Sequence, residues 1–313
     1  MTDSVSCSMP GRSRRGCRLC PRNCGADRSA GISGFCGVPS DIYIGRAALH
    51  FWEEPCISGT SGSGAVFFSG CPLRCVYCQN YTLSHGKTGV PVDIRRLSKI
   101  FLELQEQGAN NINLVTPTQY TPAIVEAVQK ARRDGLHLPI VYNCGGYESV
   151  PTLRTLEGIV DIYLTDFKYR DGAAAEKYSG ARDYPEVAEA ALEEMVRQIS
   201  EPEFDQNGLM KKGVIVRHLL LPGQVRAAKD IVKYVYGRYG DRVWLSLMNQ
   251  YTPFSRLDGC FPELARRVTA REYDALVDYA IGLGVEHAFV QEGKTAKESF
   301  IPAFNGEGVH DCI

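Results

Sequence analysis

Apolar residues fall in short runs separated by longer stretches of helical period. The runs are residues 65–68, 111–116, 139–143, 162–166, 214–221, 243–248 and 287–291. Runs this short, bounded by glycine, proline or polar turns, predict strands buried on both faces. Between them, residues 93–107 place Ile94, Leu97, Ile100, Phe101 and Leu104 on one face and stop at Gly108. A second helix is expected from Thr121-Pro122 to near Gly135, a short one over 151–156, and longer ones over 185–199 and 225–239. The last opens with the capping box Thr269-x-x-Glu272 and ends near Gly284. Residues 41–49 alternate and predict one strand ahead of the series, and 205–208 read as a turn. Repeated strand–helix units predict a parallel sheet covered by helices. Six units are too few for an eight-fold closure, so the expected α/β fold is an incomplete (β/α)6 TIM-like barrel whose C-terminal strand ends line one site.

The polar residues gather where that fold predicts. Thr116, Thr118, Asn143, Asp166, Lys168, Arg217, His218, Asn249 and Gln250 all lie at or just beyond strand ends. Directly after the first strand stand Cys71, Cys75 and Cys78, spaced C-x3-C-x2-C. Soft sulfur ligands at such intervals suit an iron–sulfur cluster better than a hard cation. A cubane holds four irons, so three thiolates leave one iron open to a small chelating molecule. A zinc knuckle or three unrelated core cysteines are the plainer alternatives, and the preceding strand and following α/β pattern weigh against both. A second set, Cys17, Cys20, Cys24 and Cys36, lies among glycines and arginines. Four soft ligands in about twenty residues indicate a metal, zinc or a second iron–sulfur cluster, since both accept four thiolates.

Composition narrows the classes further. With 44% hydrophobic and 23% charged residues, a sizeable core is available. A net charge of −1 predicts no broad attraction to nucleic acid or anionic lipid. Arg12, Arg14, Arg15, Arg18, Arg22 and Arg28 read as a solvated lead-in, without interleaved aromatics to stack bases. The first sixteen residues lack the apolar segment of a signal peptide, and no run approaches the ~20 apolar residues of a spanning helix. Twelve cysteines in such a chain point to metal ligation and a cytoplasmic protein with no membrane partner. His50 and Cys56 read as a packed histidine and a buried thiol. The expected division is a Cys-rich segment (1–57), a barrel (58–292) and a tail (293–313).

The cysteine loop, followed by Gln79-Asn80, resembles the signature of the radical S-adenosylmethionine (SAM) enzymes. Asp166-Phe167-Lys168 is similar to the Asp-Leu-Lys strand end of glycyl-radical-enzyme activases, and the N-terminal Cys-x2-Cys-Pro-Arg-x-Cys-Gly resembles a branch of pyruvate formate-lyase activase homologues. The resemblance runs from about residue 58 to 291. It implies a 4Fe-4S cluster on Cys71, Cys75 and Cys78, with SAM on the open iron. It also implies SAM contacts from Tyr77, Asn143, Asp166, Lys168, Arg217 and Asn249. Activases carry Gly-Gly-Glu after the second strand to hold the SAM amino group; here that place reads Thr116-Pro117-Thr118-Gln119. The implied reaction is one-electron cleavage of SAM to methionine and a 5′-deoxyadenosyl radical, which takes a hydrogen from a target. A partner protein is the leading target, with an electron donor such as flavodoxin or ferredoxin. A peptide or small metabolite, and a non-catalytic metal or nucleic-acid-binding module, are the competing readings.

Overall fold

The computed structural model describes residues 16–86, 88–254, 257, 259–291 and 302–310. Strand β1 (Ile42–His50) leads through a four-residue helix α1 (Pro55–Ser58) into β2 (Ser63–Phe68), whose six residues are all buried. After the cysteine loop come α2 (Tyr81–Ser84), the three-residue strand β3 (Val90–Val92) and α3 (Ile94–Glu106). The chain then alternates: β4 (Ile112–Val115), α4 (Thr121–Arg133), β5 (Ile140–Cys144), α5 (Val150–Arg154) and β6 (Ile162–Asp166). Two helices, α6 (Gly172–Ser179) and α7 (Tyr184–Gln198), and a two-residue strand β7 (Glu203–Phe204) precede β8 (Met210–Leu219). The series closes with α8 (Val225–Tyr239), β9 (Trp244–Met248), α9 (Ala270–Gly282) and β10 (Ala288–Val290).

Strands β2, β4, β5, β6, β8, β9 and β10 pair in that order, each link parallel. Parallel neighbours that are also consecutive in the series need a crossover each, and right-handed crossovers put every helix on the same face. Six crossovers give the six units expected. Antiparallel β1 and β3 extend the sheet beyond β2. Among the described residues β3 and β10 are its outer strands, so the barrel stays open.

Alternation along the strands separates two interiors. One residue set, including Leu114, Tyr142, Tyr163, Val214 and Leu245, packs against the helices. Its alternates face the lumen, where Val141, Ile162, Leu164, Met210 and Ile215 join Cys56 and Ile57 from α1 in an apolar floor. The loop around α1 therefore plugs the N-terminal end. Helix α3 buries Leu97, Ile100, Phe101 and Leu104, the stripe its periodicity predicts. Arg96 on that helix holds residues 308–310 through the Val309 carbonyl at 2.8 Å and the His310 carbonyl at 2.7 Å. Ahead of them Phe304 packs on Phe67 at 5.5 Å between ring centroids. No helix among the described residues is long and apolar enough to cross a membrane.

Candidate functional site

Strand β2 ends at Phe68, and the chain turns at Gly70 with φ 85°, where a Cβ would stand 2.8 Å from the Cys36 carbonyl. The turn throws Cys71, Cys75 and Cys78 over the C-terminal end of the sheet, where all three line one cavity of about 230 Å³. Each sulfur faces a donor. The Leu73 amide reaches Cys71 Sγ at 3.4 Å, Ser179 Oγ reaches Cys75 Sγ at 2.9 Å, and the Ser84 hydroxyl bonds Cys78. Burial, then the neighbouring Cys75 sulfur, pushes the Cys71 thiol up to about 12, and the same causes raise Cys78. Three bare thiolates this close need a strong positive charge beside them, which iron supplies. No three Cys, His, Asp or Glu side chains among the described residues close around a single ion. A cluster asks something else of its ligands, one sulfur for each of three irons, and the donors and the cavity fit it.

The rest of the cavity wall comes from successive strand ends: Thr116 after β4, Asn143 and Cys144 on β5, Asp166 and Lys168 at β6, Arg217 on β8, and Gln250 after β9. Tyr77 lines it from the cysteine loop. Asn249 does not; it is half-buried and its amide donates to Gln291 Oε1 at 2.9 Å, while its neighbour Gln250 takes the wall. Asp166 and Lys168 form an ion pair inside the site, each side chain under one-fifth exposed. Arg217 spans the lumen. Its Nε donates to Asp166 Oδ1 at 3.0 Å, Nη1 to Glu53 Oε2 at 3.2 Å and Nη2 to Asn143 Oδ1 at 2.5 Å. Burial alone raises a carboxyl, yet Lys168 and Arg217 outweigh it and hold Asp166 below the usual range.

Two acidic groups of this site, Glu53 and Glu148, and a third beside it, Glu54, escape the sequence reading. Glu53, from the plug, accepts from Asn113 Nδ2 at 3.0 Å and from Arg217, and burial raises its carboxyl. Glu54 beside it is raised by burial as well. Glu148, 2% exposed, lines the cavity. It accepts from Thr118 Oγ1 at 2.8 Å and Tyr142 OH at 3.2 Å, and burial lifts its carboxyl to about 8. The visible signal was the Gly145-Gly146 pair. Gly146 has φ 79°, and a Cβ there would sit 2.2 Å from the Asp166 carbonyl, so only glycine lets the β5 end fold back and carry Glu148 inward. Thr116 shares this strand-end tension: a β-branched residue at φ 58°, held by its amide on the Asn143 carbonyl at 2.8 Å.

The N-terminal cysteine segment docks on the back of the cluster loop. The Cys71 amide donates to the Cys36 carbonyl at 3.3 Å. A Cβ on Gly34 would meet the sulfurs of Cys24 and Cys36 at 2.9 and 3.9 Å. Burial pushes the Cys20 thiol up to about 12, with the Cys17 and Cys36 sulfurs adding to it, so the four cysteines share one neighbourhood. The expected solvated arginines are corrected at two positions. Arg28 is buried and donates to the carbonyls of Gln119 at 2.6 Å and Val38 at 3.2 Å; Arg22 donates to that of Pro72 at 2.8 Å. Both guanidiniums cap carbonyls that the fold would otherwise bury bare. Arg12, Arg14, Arg15 and most of the 293–313 tail lie outside the described residues. Cys56 is buried, His50 packs edge-on to Phe67 at 5.9 Å, and His218 donates from Nδ1 to the Phe167 carbonyl at 2.8 Å, away from the cavity.

Known proteins resemble parts of this chain in sequence. Residues 57–171 match the family described as a 4Fe-4S single cluster domain. Across 54% of the chain it is 24% identical to the pyruvate formate-lyase-activating enzyme of Staphylococcus epidermidis, covering 65% of that protein. These matches make the chain a distant homologue of radical SAM enzymes. A 4Fe-4S cluster and SAM are the cofactors typical of such enzymes. An uncharacterised protein of Methanocaldococcus jannaschii is 26% identical over 85% of the chain and 74% of its own length. Among solved structures, Streptococcus suis SuiB bound to SAM aligns over 71% of this chain with TM-score 0.48 and 12% identity. SuiB bound to the precursor peptide SuiA gives the same score and identity. The chain spans just under half of SuiB and just under two thirds of the activating enzyme.

Proposed function

We propose that this radical SAM enzyme cleaves SAM reductively and uses the resulting radical on a partner protein. The observation that carries the reading is the single cavity shared by Cys71, Cys75 and Cys78 with the polar ends of five further strands. When bound, the reduced cluster supplies the electron that splits SAM into methionine and a 5′-deoxyadenosyl radical. In this reading the three cysteines hold the cluster. Tyr77, Asn143, Asp166, Lys168 and Arg217 form the ligand wall, with Asn249 fixing the β9 end behind Gln250. The carboxyl that residues 116–119 lack comes from Glu148, which ionises against the ligand's ammonium. The barrel residues orient the ligand and keep water from it. Cys17, Cys20, Cys24 and Cys36 form a second metal site, zinc or iron–sulfur, in a segment (1–57) distinct from the barrel (58–292) and tail (293–313). Flavodoxin or ferredoxin is the class of electron donor required.

A protein target is supported by the likeness to an activating enzyme. The test is anaerobic reconstitution with dithionite and SAM, scored for 5′-deoxyadenosine and methionine, then incubation with candidate partners under electron paramagnetic resonance. An intact cluster spectrum without SAM cleavage sinks the enzyme reading. Turnover stimulated only by small molecules, with no partner gaining a radical or a mass change, replaces the protein target with a metabolite.

A further inference from the structure

The sulfur of Cys75 ends a chain of hydroxyl groups. Tyr77 OH lies 2.6 Å from Tyr169 OH, Tyr169 OH 2.8 Å from Ser179 Oγ, and Ser179 Oγ 2.9 Å from Cys75 Sγ. All four residues are buried. A cysteine that ligates iron carries no proton, so its sulfur can only accept. Ser179 must then give its single hydrogen to Cys75, which obliges Tyr169 to donate to Ser179 and Tyr77 to donate to Tyr169. One sulfur fixes the direction of three hydroxyls. Hydrogen bonds aligned in this way polarise one another and strengthen the last of them.

The donor is held in place by backbone. Ser179 is the last residue of α6, where Gly180 takes the left-handed conformation at φ 58°. The Val76 amide of the cluster loop bonds the Tyr178 carbonyl at 2.9 Å. Arg22 Nη2 reaches the Ser179 carbonyl at 3.0 Å while its Nε holds Pro72, tying helix end and cysteine loop together. At the other end of the chain, Tyr77 lines the cavity.

We infer that Ser179, backed by Tyr169 and Tyr77, is a positioning residue that sets the reduction potential of the cluster. The inference rests on the reading that Cys71, Cys75 and Cys78 hold that cluster. Reduction takes one electron from an external one-electron donor, dithionite in the test below, and spreads its charge over the sulfurs. No bond is broken, and each hydroxyl keeps its proton. A hydroxyl aimed at one sulfur stabilises the added charge and raises the potential.

The test uses the full chain reconstituted anaerobically, iron counted, and titrated electrochemically without SAM under electron paramagnetic resonance. Ser179→Ala lowers the reduction equilibrium constant by about threefold to tenfold, tenfold being 59 mV for one electron. Tyr169→Phe, which leaves the Ser179 bond in place, shifts it the same way by less, and Ser179→Thr stays at the wild-type midpoint. Where Ser179→Ala fails to retain iron, Tyr169→Phe decides. A midpoint equal to wild type in the retained variants, with iron that depends on Cys75, overturns the hydroxyl chain alone. A Cys75→Ala protein with its full cluster signal overturns the underlying reading as well.

Discussion

Glu148 makes the protein's stability depend on pH in a direction opposite to that of an ordinary paired carboxylate. Its carboxyl is raised by burial from 4.5 to about 8, the hydrogen bonds from Thr118 and Tyr142 offsetting only part of the shift. Between those values the folded protein keeps a proton that the unfolded chain has lost. The stability from this group is therefore fully present below pH 4.5, falls as pH rises, and is gone above about pH 8. Each pH unit in that window costs about 1.4 kcal/mol for one proton, on the order of 5 kcal/mol in all. Glu148→Gln keeps the shape and removes the titration. Urea unfolding of the metal-free protein at pH 5, 7 and 9 and constant ionic strength measures the difference between the two proteins. Glu53 and Glu54, raised in the same direction, contribute to both and cancel. Glu148→Gln gains on wild type steadily from pH 5 to 8. Parallel pH profiles would refute both the buried state of Glu148 and the account of its raised carboxyl.

Two further outcomes follow from the lumen. Arg217→Ala strips Asp166, Glu53 and Asn143 of one shared partner, leaving Asp166 to Lys168 alone and taking from the mostly buried Glu53 its Arg217 ion pair. Breaking a buried pair in this way costs about 3–5 kcal/mol, read as a lower urea midpoint, and the added substitution Glu53→Gln recovers part of the loss. Gly146→Ala places a methyl 2.2 Å from backbone at a left-handed position, so soluble yield and melting temperature fall far more than for Ala at Gly158, where a Cβ meets nothing within 4 Å. Comparable melting temperatures for the two alanine variants would remove the close approach of the β5 end to β6.

The barrel was legible because its strands are apolar runs of the right length, and the cluster loop because its chemistry is contiguous. Three cysteines in eight residues need no tertiary structure to be seen. Strand ends were legible by rule, so Asn143, Asp166, Lys168 and Arg217 were named before the fold placed them on one wall. The residues that escaped acquire their character only from packing. Glu53 and Glu54 belong to no motif in the sequence; Glu53 joins the cavity wall, with Glu54 buried beside it, because the loop that carries them plugs the lumen. Helix α6 escaped for a different reason: Gly172-Ala-Ala-Ala-Glu-Lys has no apolar stripe to mark it. Short β3 and β7 carry too few residues for any period to show. At the N-terminus, arginines that composition assigned to solvent turn inward, Arg28 fully and Arg22 in part, because bare carbonyls of the cluster loop and of residues 38 and 119 await donors.

The lumen charges set what a ligand must bring. Asp166 and Glu53 are matched inside the site by Lys168 and Arg217, and each of the three nitrogens of the Arg217 guanidinium donates to a different side chain. An incoming anion thus meets a cation already held by two carboxylates. Glu148 is the exception: it is buried with neutral donors, the hydroxyls of Thr118 and Tyr142 and the Cys144 thiol, and no cation among its bonding partners, and its raised carboxyl records that want. A ligand ammonium placed against it gains an ion pair at the cost of one proton. SAM binding should therefore release a proton near pH 7, seen as a binding enthalpy that changes with the ionisation enthalpy of the buffer. The release vanishes in Glu148→Gln. A buffer dependence that survives the substitution assigns the proton elsewhere and takes Glu148 out of the ligand wall.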